Sequence, residues 1–313
     1  MSTKKTKIIF MGTPAFACPV LKALLEEPTL EITAVITQPD KKIGRKQILT
    51  PPPAKLEALK HNLSILQPPR IQNAAAEIKK SGVDLIIVAA YAQILSSSIL
   101  TIPRFGCLNV HASLLPKYRG AACVQAAIKA GDKETGITIM KMDSGLDTGP
   151  ILAQAHLSIT DDDTIDSLNL KLAKLGAELI VPTVKKYLSG SLKPKPQDNN
   201  LASYAPALKK EDGKINWSWP AAKIEKFIRA MTSWPGAFSY LDGKLIKILK
   251  AEHKPINFNQ YPAGQLFQYE NNLAIQAEEN ALIISQLQLA GKKPITGSDF
   301  LRGYPALLGQ ILK

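Results

Sequence analysis

The sequence predicts an α/β protein of two domains, an open, mainly parallel, doubly wound sheet followed by a smaller C-terminal β-barrel. Three observations support this prediction. The chain has 313 residues, more than one typical domain holds. Its N-terminal part alternates short apolar runs with helix-like segments, and its C-terminal part contains short β-like runs separated by turns.

The N-terminal alternation begins as a βαβ unit. An apolar run at 7–11 ends at Gly12, a helix-like stretch with Val20 and Leu24 follows, and a β-rich run covers 32–37. The further elements that the pattern predicts are helices near 54–61 and 124–130 and strands at 84–90, 106–110 and 136–142. Such alternation is typical of a parallel, Rossmann-like sheet with helices on both faces.

A boundary between the domains is expected where the pattern stops. Residues 189–206 are rich in Pro, Ser, Asn and Lys and have neither hydrophobic period, so we assign a linker to 190–207. The catalytic domain would then cover 1–189 and the second domain 208–313. In the second domain a helix is expected at 221–231, and the runs at 244–249, 273–276 and 281–287 indicate a small OB-like barrel.

Composition limits the class of protein. Hydrophobic residues make up 45% and charged residues 21%, the balance of a chain with a packed core. No apolar run approaches the ~20 residues of a membrane span, and the three cysteines and four histidines lack the spacing of metal ligands. We therefore expect a cytoplasmic protein with no membrane contact and no metal. The net charge of +13, with a basic excess in both predicted domains, permits a nucleic-acid partner but is also compatible with a solvated surface.

Asn109 and His111 stand two residues apart in a predicted strand. Side chains at that spacing share one face of a sheet, so an amide and an imidazole would converge at the strand's carboxyl end. Ligands of open α/β sheets bind at that edge. The pair is a candidate reactive site.

A second candidate is the turn 142–150, which contains Asp147. It follows the predicted strand at 136–142, which we assign to the same parallel sheet, and it is therefore expected at the same edge as His111. There Asp147 could orient the imidazole or favour its protonation.

Two rival chemistries have less support. Cys107 shares the face of His111, but four residues of strand separate the two by about 13 Å, too far for a Cys–His dyad. The turn at Gly12 follows a strand, yet it lacks the GxGxxG pattern of dinucleotide sites.

The segment 38–53 is basic and has no hydrophobic period. Its cations are Lys41, Lys42, Arg45 and Lys46. A loop of this length in a compact domain is commonly functional or disordered. It could clamp a phosphate backbone or be only a solvated charge run.

With these residues the chain resembles the methionyl-tRNA formyltransferases, a family of folate-dependent formyltransferases. The strings that carry the resemblance are Phe10-Met-Gly-Thr-Pro-Ala-Phe16, Thr37-Gln-Pro-Asp40, Asn109-Val-His111 with Ser113-Leu-Leu-Pro116, Tyr118-Arg-Gly-Ala121, Gly131-Asp132, Thr135-Gly136, Met140, Met142-Asp143, Gly145-Leu-Asp147-Thr-Gly149, Tyr204-Ala205, Ile215-Asn-Trp217 and Trp234-Pro235. The Asn-x-His and Asp-x-Gly-x-Asp-Thr-Gly strings are also shared by relatives that formylate other amines.

The resemblance implies roles for named residues. Asn109, His111 and Asp147 would be catalytic. The implied folate contacts are Ser113, Leu114, Leu115, Pro116, Tyr91, Ala92, Gln93, Ile94, Leu95 and Asp143. The implied tRNA contacts are Lys41, Lys42, Arg45 and Lys46, of which Arg45 would engage the acceptor stem of a charged initiator tRNA. The resemblance also implies that 1–189 is the folate-binding catalytic domain and that the barrel at 208–313 binds tRNA. The formyl donor would be 10-formyltetrahydrofolate, with no metal, and the protein would act as a monomer.

Three residues depart from the family's commonest pattern, and three rival functions stay open. Ala92 and Ala112 stand where glycine is frequent, and Cys123 where proline is frequent. The rivals are formylation of a nucleotide sugar or small amine, a catalytically silent nucleic-acid binder, and hydrolysis of the formyl folate.

Overall fold

The computed structural model of the chain describes residues 5–44, 46–254 and 260–313. They group into two compact units. The first unit is drawn from residues up to 123, from 134–158 and from 168–206, and the second from 124–133, 159–167 and 207–313. The division is therefore not a single cut in the sequence, and residues 190–206 of the expected linker belong to the first unit.

The first unit contains a sheet of seven strands in the order β5-β2-β1-β6-β7-β8-β9. The strands are β1 (Thr6–Gly12), β2 (Leu30–Ile36), β5 (Ile65–Leu66), β6 (Leu85–Ala89), β7 (Cys107–His111), β8 (Glu134–Lys141) and β9 (Ile151–Ser158). Pairing is parallel from β5 to β7 and antiparallel at β7–β8 and β8–β9. The prediction of a mainly parallel, Rossmann-like sheet is confirmed, but the expectation that the strand at 136–142 runs parallel to its neighbours was wrong.

Helices follow the strands of the N-terminal half as predicted. The helices up to the linker region are α1 (Ala17–Glu26), α2 (Pro53–Lys60), α3 (Ala75–Lys80), α4 (Ser97–Leu100), α5 (Cys123–Ala130) and α6 (Ile165–Leu188). In α1 the buried residues Val20, Leu21 and Leu24 form one stripe, the spacing of an amphipathic helix. All five residues of β6 are buried, as expected of a central strand covered on both faces.

The basic segment 38–53 contains a hairpin and is not a structureless loop. Its strands are β3 (Lys41–Ile43) and β4 (Ile48–Thr50), which pair with each other as a separate two-stranded sheet. Sequence patterning missed the hairpin because apolar Ile43, Ile48 and Leu49 are exposed here rather than alternating toward a core.

The second unit is built on an antiparallel sheet of six strands, in the order β10-β11-β14-β13-β12 with β15 beside β14. Its elements are α7 (Ala221–Met231), β10 (Phe238–Leu241), β11 (Lys244–Lys254), β12 (Leu266–Tyr269), β13 (Asn272–Gln276), β14 (Ala281–Leu289), β15 (Ile295–Thr296) and α8 (Gly297–Gly303). One face of α7, with Ile224, Phe227 and Ile228, packs into the unit's core.

The last residues of the chain bridge the two edges of this sheet. Lys313 exchanges backbone hydrogen bonds with Tyr240 of β10, and Leu266 of β12 donates to Gln310. The antiparallel sheet therefore curls into the predicted small barrel, with the C-terminal segment covering both edges. Within the described residues, no helix combines the length and apolar composition needed to cross a membrane.

Candidate active site

His111 ends β7 and is nearly buried, with 7% of its surface exposed. Its Nε2 donates to the carbonyl of Tyr118 at 3.0 Å, and its Nδ1 lies 3.6 Å from Oδ2 of Asp147. Both ring nitrogens therefore face acceptors. An imidazole in such surroundings is stabilised in its doubly protonated form, because only that form offers a proton at each nitrogen.

The ionisation of His111 reflects these neighbours. Burial opposes protonation, but the Cys123 sulfur, the Asp147 carboxylate and the Tyr118 carbonyl all favour the charged ring, and the pKa of His111 rises from 6.5 to about 9. At neutral pH the site thus holds an imidazolium, which can stabilise a negative charge but cannot act as a base.

Asn109 and Cys107 lie on the same face of β7 but have different surroundings. Asn109 is half-buried, and among the residues that the structure describes none forms a hydrogen bond with its side-chain amide. Cys107 is buried in the apolar core beside Ile99, and burial raises the pKa of its thiol to about 12. Asn109 is therefore available to a ligand, whereas Cys107 is a packing residue.

Asp147 reaches His111 by a route that the sequence did not indicate. Because β8 is antiparallel to β7, Thr138 pairs with His111 and Lys141 with Leu108. β8 therefore ends at Lys141, opposite Leu108, and the turn 142–150 begins about 10 Å from His111 along the strand. The chain folds back over that distance, and Oδ2 of Asp147 accepts a hydrogen bond from the Gly120 amide at 2.8 Å. The expected contact forms, but the reasoning from a shared parallel edge was wrong.

The turn 113–116 is held in place from the neighbouring antiparallel strands. Thr138 Oγ1 donates to the Ser113 carbonyl at 2.7 Å and accepts from the Leu115 amide at 3.0 Å. Gln154 Nε2 donates to the Leu115 carbonyl at 2.9 Å. Ser113 and Leu115 are buried, whereas Leu114 and Pro116 are partly exposed, so the latter two and the backbone are what the turn offers to a ligand.

The segment 91–95 alternates buried and accessible residues. Tyr91 and Leu95 are buried, and Gln93 accepts from the Ile71 amide at 2.7 Å. Ile94 is 80% exposed. Ala92 has a φ of 68°, in the left-handed region that glycine adopts most easily.

Asp143 has a local partner within its own turn. Its Oδ1 accepts from the Gly145 amide at 3.0 Å and from Thr148 Oγ1 at 2.7 Å. These bonds shape the turn that carries Asp147.

The basic hairpin is exposed but anchored at its base. Both carboxylate oxygens of Asp40 accept from Lys55 Nζ at 2.8 Å, and Gln67 Nε2 donates to Asp40 at 2.8 Å. Lys41, Lys42 and Lys46 are exposed. Arg45, the fourth predicted tRNA contact, lies outside the described residues. Over the described ranges no group of three or more His, Cys, Asp or Glu side chains could hold a metal ion.

Comparison with known proteins decides the family. The formyl transferase family model matches residues 5–184, and the model of the formyl transferase C-terminal domain matches 207–305. Methionyl-tRNA formyltransferase of Caldicellulosiruptor saccharolyticus is 44% identical over 310 residues, covering 97% of this chain and 99% of that protein. The enzyme of the same name from Halalkalibacterium halodurans is 45% identical over 300 residues, covering 95% and 94%. The chain belongs to the methionyl-tRNA formyltransferase family. It is thus a formyl-transferring enzyme.

Solved structures of other formyltransferases share the fold. Methionyl-tRNA formyltransferase from Clostridium thermocellum matches with a TM-score of 0.55 at 19% identity, over 80% of this chain and 94% of that one. A sugar 3N-formyl transferase solved in the presence of dTDP and 5-N-formyl-THF matches with a TM-score of 0.64 at 23% identity, over 92% and 99%. At these identities the two structures support the fold alone.

Several residues of this family member's site were missed by the sequence analysis. They are Thr138 and Gln154 behind the turn 113–116, Cys123 beside His111, and Arg119 and Gln197 near Asp147. Cys123 had been noted only as a departure from the family pattern. Arg119 stands in the quoted string Tyr118-Arg-Gly-Ala121 but was given no role. Thr138, Gln154 and Gln197 carry no local signal, because each acts through a contact distant in sequence.

Proposed function

We propose that this chain transfers the formyl group of 10-formyltetrahydrofolate to the amino group of methionine on charged initiator tRNA, with Asn109, His111 and Asp147 as the catalytic residues. The observation that carries the proposal is the contact of buried His111 with the Asp147 carboxylate, two residues along the same strand from an Asn109 amide that has no protein partner in the described part of the chain. When an amine attacks a formyl carbon, the reaction requires donors for the oxygen and an acceptor for the proton of the amine, and these residues supply both.

Asn109 and His111 would stabilise the negative charge that develops on the formyl oxygen. The amide offers N–H donors, and the imidazolium offers a positive charge in a site shielded from water. Because the ring is protonated at neutral pH, it would act through its charge and not as the base.

Asp147 would accept the proton that the attacking amine loses, directly or through a water molecule. Its carboxylate is held by the Gly120 amide and faces the imidazole. As the tetrahedral intermediate collapses, the bond between the formyl carbon and the folate nitrogen breaks, and that nitrogen takes up a proton and leaves as tetrahydrofolate. The proposed transfer is direct and forms no covalent enzyme intermediate. Buried Cys107, whose thiol pKa is about 12, is protonated at neutral pH and is a poor nucleophile.

The residues expected to hold the folate fit a flat heterocycle with polar edges. Exposed Ile94 supplies an apolar surface, and the turn 113–116, with partly exposed Leu114, supplies backbone groups in a fixed position. When bound, the donor would supply the electrophilic formyl carbon. The sugar enzyme solved with 5-N-formyl-THF has the same fold, which supports a folate site here.

The acceptor assignment is supported by charge and by the relatives. The net charge of +13 and the exposed lysines of the hairpin suit a polyanion. The proteins about 44% identical over nearly the whole chain are named for methionyl-tRNA, whereas the sugar enzyme is only 23% identical. A tRNA acceptor is therefore favoured over a nucleotide sugar.

A transfer assay tests both halves of the proposal. With 10-formyltetrahydrofolate as donor, we expect rapid formylation of charged initiator tRNA and very slow formylation of free methionine or of a nucleotide-linked amino sugar. Equal rates with tRNA-bound and free methionine would contradict the acceptor. Consumption of donor without any formylated amine would contradict formyl transfer and favour hydrolysis.

A further inference from the structure

The segment 195–205 is tied along its length to the part of the first unit that carries Asp147. At one end Lys195 exchanges backbone hydrogen bonds with Ile151, at 2.7 and 2.8 Å. At the other end Arg119 donates from its backbone to Ser203 at 2.8 Å and accepts from Ala205 at 2.7 Å. A stretch whose composition suggested a linker therefore lies against both the Arg119 turn and the strand that follows the Asp147 turn.

Arg119 is a buried cation with neutral partners. It is 2% exposed, and its guanidinium donates to Gln197 Oε1 at 3.1 and 2.8 Å and to Asn199 Oδ1 at 2.8 Å. The hydroxyl of Tyr204 lies 3.5 Å from Nη1. No carboxylate of the described residues forms an ion pair with Arg119. A buried charge without a counter-ion is costly, so the hydrogen bonds that satisfy it constrain its partners strongly.

Gln197 transmits this constraint to the Asp147 turn. Its Oε1 is occupied by Arg119, and its Nε2 donates to the carbonyls of Asp147 at 2.8 Å and Gly149 at 2.7 Å. Because a guanidinium only donates and a carbonyl only accepts, the amide has one possible orientation. Gln197 thus clamps the backbone of the turn at the point where it has folded back toward His111.

The carboxylate of Asp147 is held from the same side. Its Oδ2 accepts from the amide of Gly120, the residue after Arg119. A Cβ at Gly120 would lie 2.6 Å from the Ala205 carbonyl, so this turn approaches the segment 195–205 as closely as backbone allows. Asp147 itself has a φ of 52°, which a non-glycine residue adopts only when its surroundings hold it there.

We propose that Arg119 and Gln197 are positioning residues for Asp147, and that the segment 195–205 is a working part of the active site. β8 ends about 10 Å from His111, so the backbone of the turn 142–150 must be drawn back toward that residue. Among the described residues, the hydrogen bonds from Gln197 to the carbonyls of Asp147 and Gly149 do this. The inference rests on the proposed catalytic role of Asp147.

The test compares Gln197→Glu with Gln72→Glu in the full chain, using 10-formyltetrahydrofolate and charged initiator tRNA. Glutamate at 197 keeps acceptor oxygens for Arg119 but loses the NH₂ group that holds the carbonyls of Asp147 and Gly149. Gln72→Glu makes the same chemical change at an exposed glutamine outside the segment 195–205, so it is the matched control.

We expect Gln197→Glu to lower kcat by on the order of tenfold to a hundredfold, with KM for the donor changed by less than about twofold. The pKa of His111, followed by NMR, should fall in this variant, because the Asp147 carboxylate that raises it moves away. Gln72→Glu should keep kcat within about twofold of the unchanged chain. A Gln197→Glu kcat equal to that of the unchanged chain or of Gln72→Glu overturns the proposal.

Two further variants keep the result interpretable. If Gln197→Glu does not fold, Arg119→Lys replaces it, since lysine keeps the charge but not the fork of donors; it should also lose kcat, and an unchanged kcat overturns the proposal. Asp147→Asn distinguishes failure of the proposed function from failure of the positioning role. Normal turnover in Asp147→Asn refutes the proposed function itself, whereas an inactive Asp147→Asn beside a fully active Gln197→Glu refutes only the positioning role.

Discussion

The His111 centre and the basic hairpin, both in the first unit, are built in opposite ways. Each ring nitrogen of His111 faces an acceptor, at 3.0 and 3.6 Å, and the residue is 7% exposed. In the hairpin the apolar residues Ile43, Ile48 and Leu49 are 58%, 60% and 61% exposed, and only the base is fixed, through Asp40. Stabilising a transition state requires fixed donors, whereas attracting a polyanion requires charge and reach.

The comparison predicts that the two regions control different kinetic constants. Changes at the His111 centre should alter kcat and its pH dependence. Changes in the hairpin should alter tRNA affinity and its salt dependence.

The largest effect is expected for Asp147→Asn. The amide can still accept from Gly120 but carries no charge and cannot take a proton, so kcat should fall by on the order of 10²–10⁴. Steady-state kinetics with both substrates measures this change. Asp161→Asn, at an exposed carboxylate, is the control. A kcat within about twofold of the unchanged chain would remove Asp147 from the mechanism.

The next largest effect is expected when Lys41, Lys42 and Lys46 are changed together to Ala. KM for charged tRNA should rise about tenfold or more at physiological salt, and the slope of log affinity against log salt should fall by about one unit per lysine. The value of kcat should stay unchanged. Lys79, Lys80 and Lys174, three exposed lysines of α3 and α6, are changed together to Ala as the charge-matched control. If the control weakens tRNA binding equally, the hairpin has no special role.

A smaller effect is expected for Cys123→Ala. Removing the sulfur should lower the pKa of His111 from about 9 toward 6.5. Activity that needs the imidazolium should then be lost at lower pH than in the unchanged chain. NMR titration of the imidazole and the pH–rate profile check this, with Cys18→Ala as the control. If the alkaline limb of the pH–rate profile does not move, the influence of Cys123 on the pKa of His111 is contradicted.

The raised pKa of His111 also makes the stability of the fold depend on pH. Because the folded-state pKa of His111 is raised above 6.5, the stabilisation from the charged ring is fully present below pH 6.5 and is lost as pH rises through about 9. The advantage of the unchanged chain over Cys123→Ala in unfolding free energy should therefore shrink between these pH values.

The smallest effect is expected for Ala92→Gly. At a φ of 68° the change relieves strain of about 1–2 kcal/mol, but glycine's greater freedom in the unfolded chain offsets about half of it. We expect a rise in Tm of at most about 3 °C. By contrast, the left-handed position of the hairpin, at a φ of 72°, already has Gly44. A clear fall in Tm would mean that the Ala92 methyl group contributes packing.

The sequence predicts features that depend on neighbouring residues and fails for features that depend on residues distant in the chain. The helix expected at 221–231 coincides with α7, because an amphipathic face is a local pattern. The direction of β8 was misjudged, since strand direction depends on pairing and not on the strand's own residues. The segment 190–207 has no hydrophobic period, and its composition therefore indicates only a linker. Its hydrogen bonds join it to residues that are distant in the sequence, and no local pattern predicts them.

The sequence by itself determined the plan of the first unit, a sheet with helices on both faces, as well as the curled sheet of the second unit and the shared face of Asn109 and His111. Each follows from periodicity within a few residues. Only the tertiary structure decided how Asp147 reaches His111, through a turn that folds back beneath Gln197, 50 residues further along the chain. Strand direction, buried hydrogen bonds and the protonation of His111 depend on groups that the sequence separates and the fold brings together.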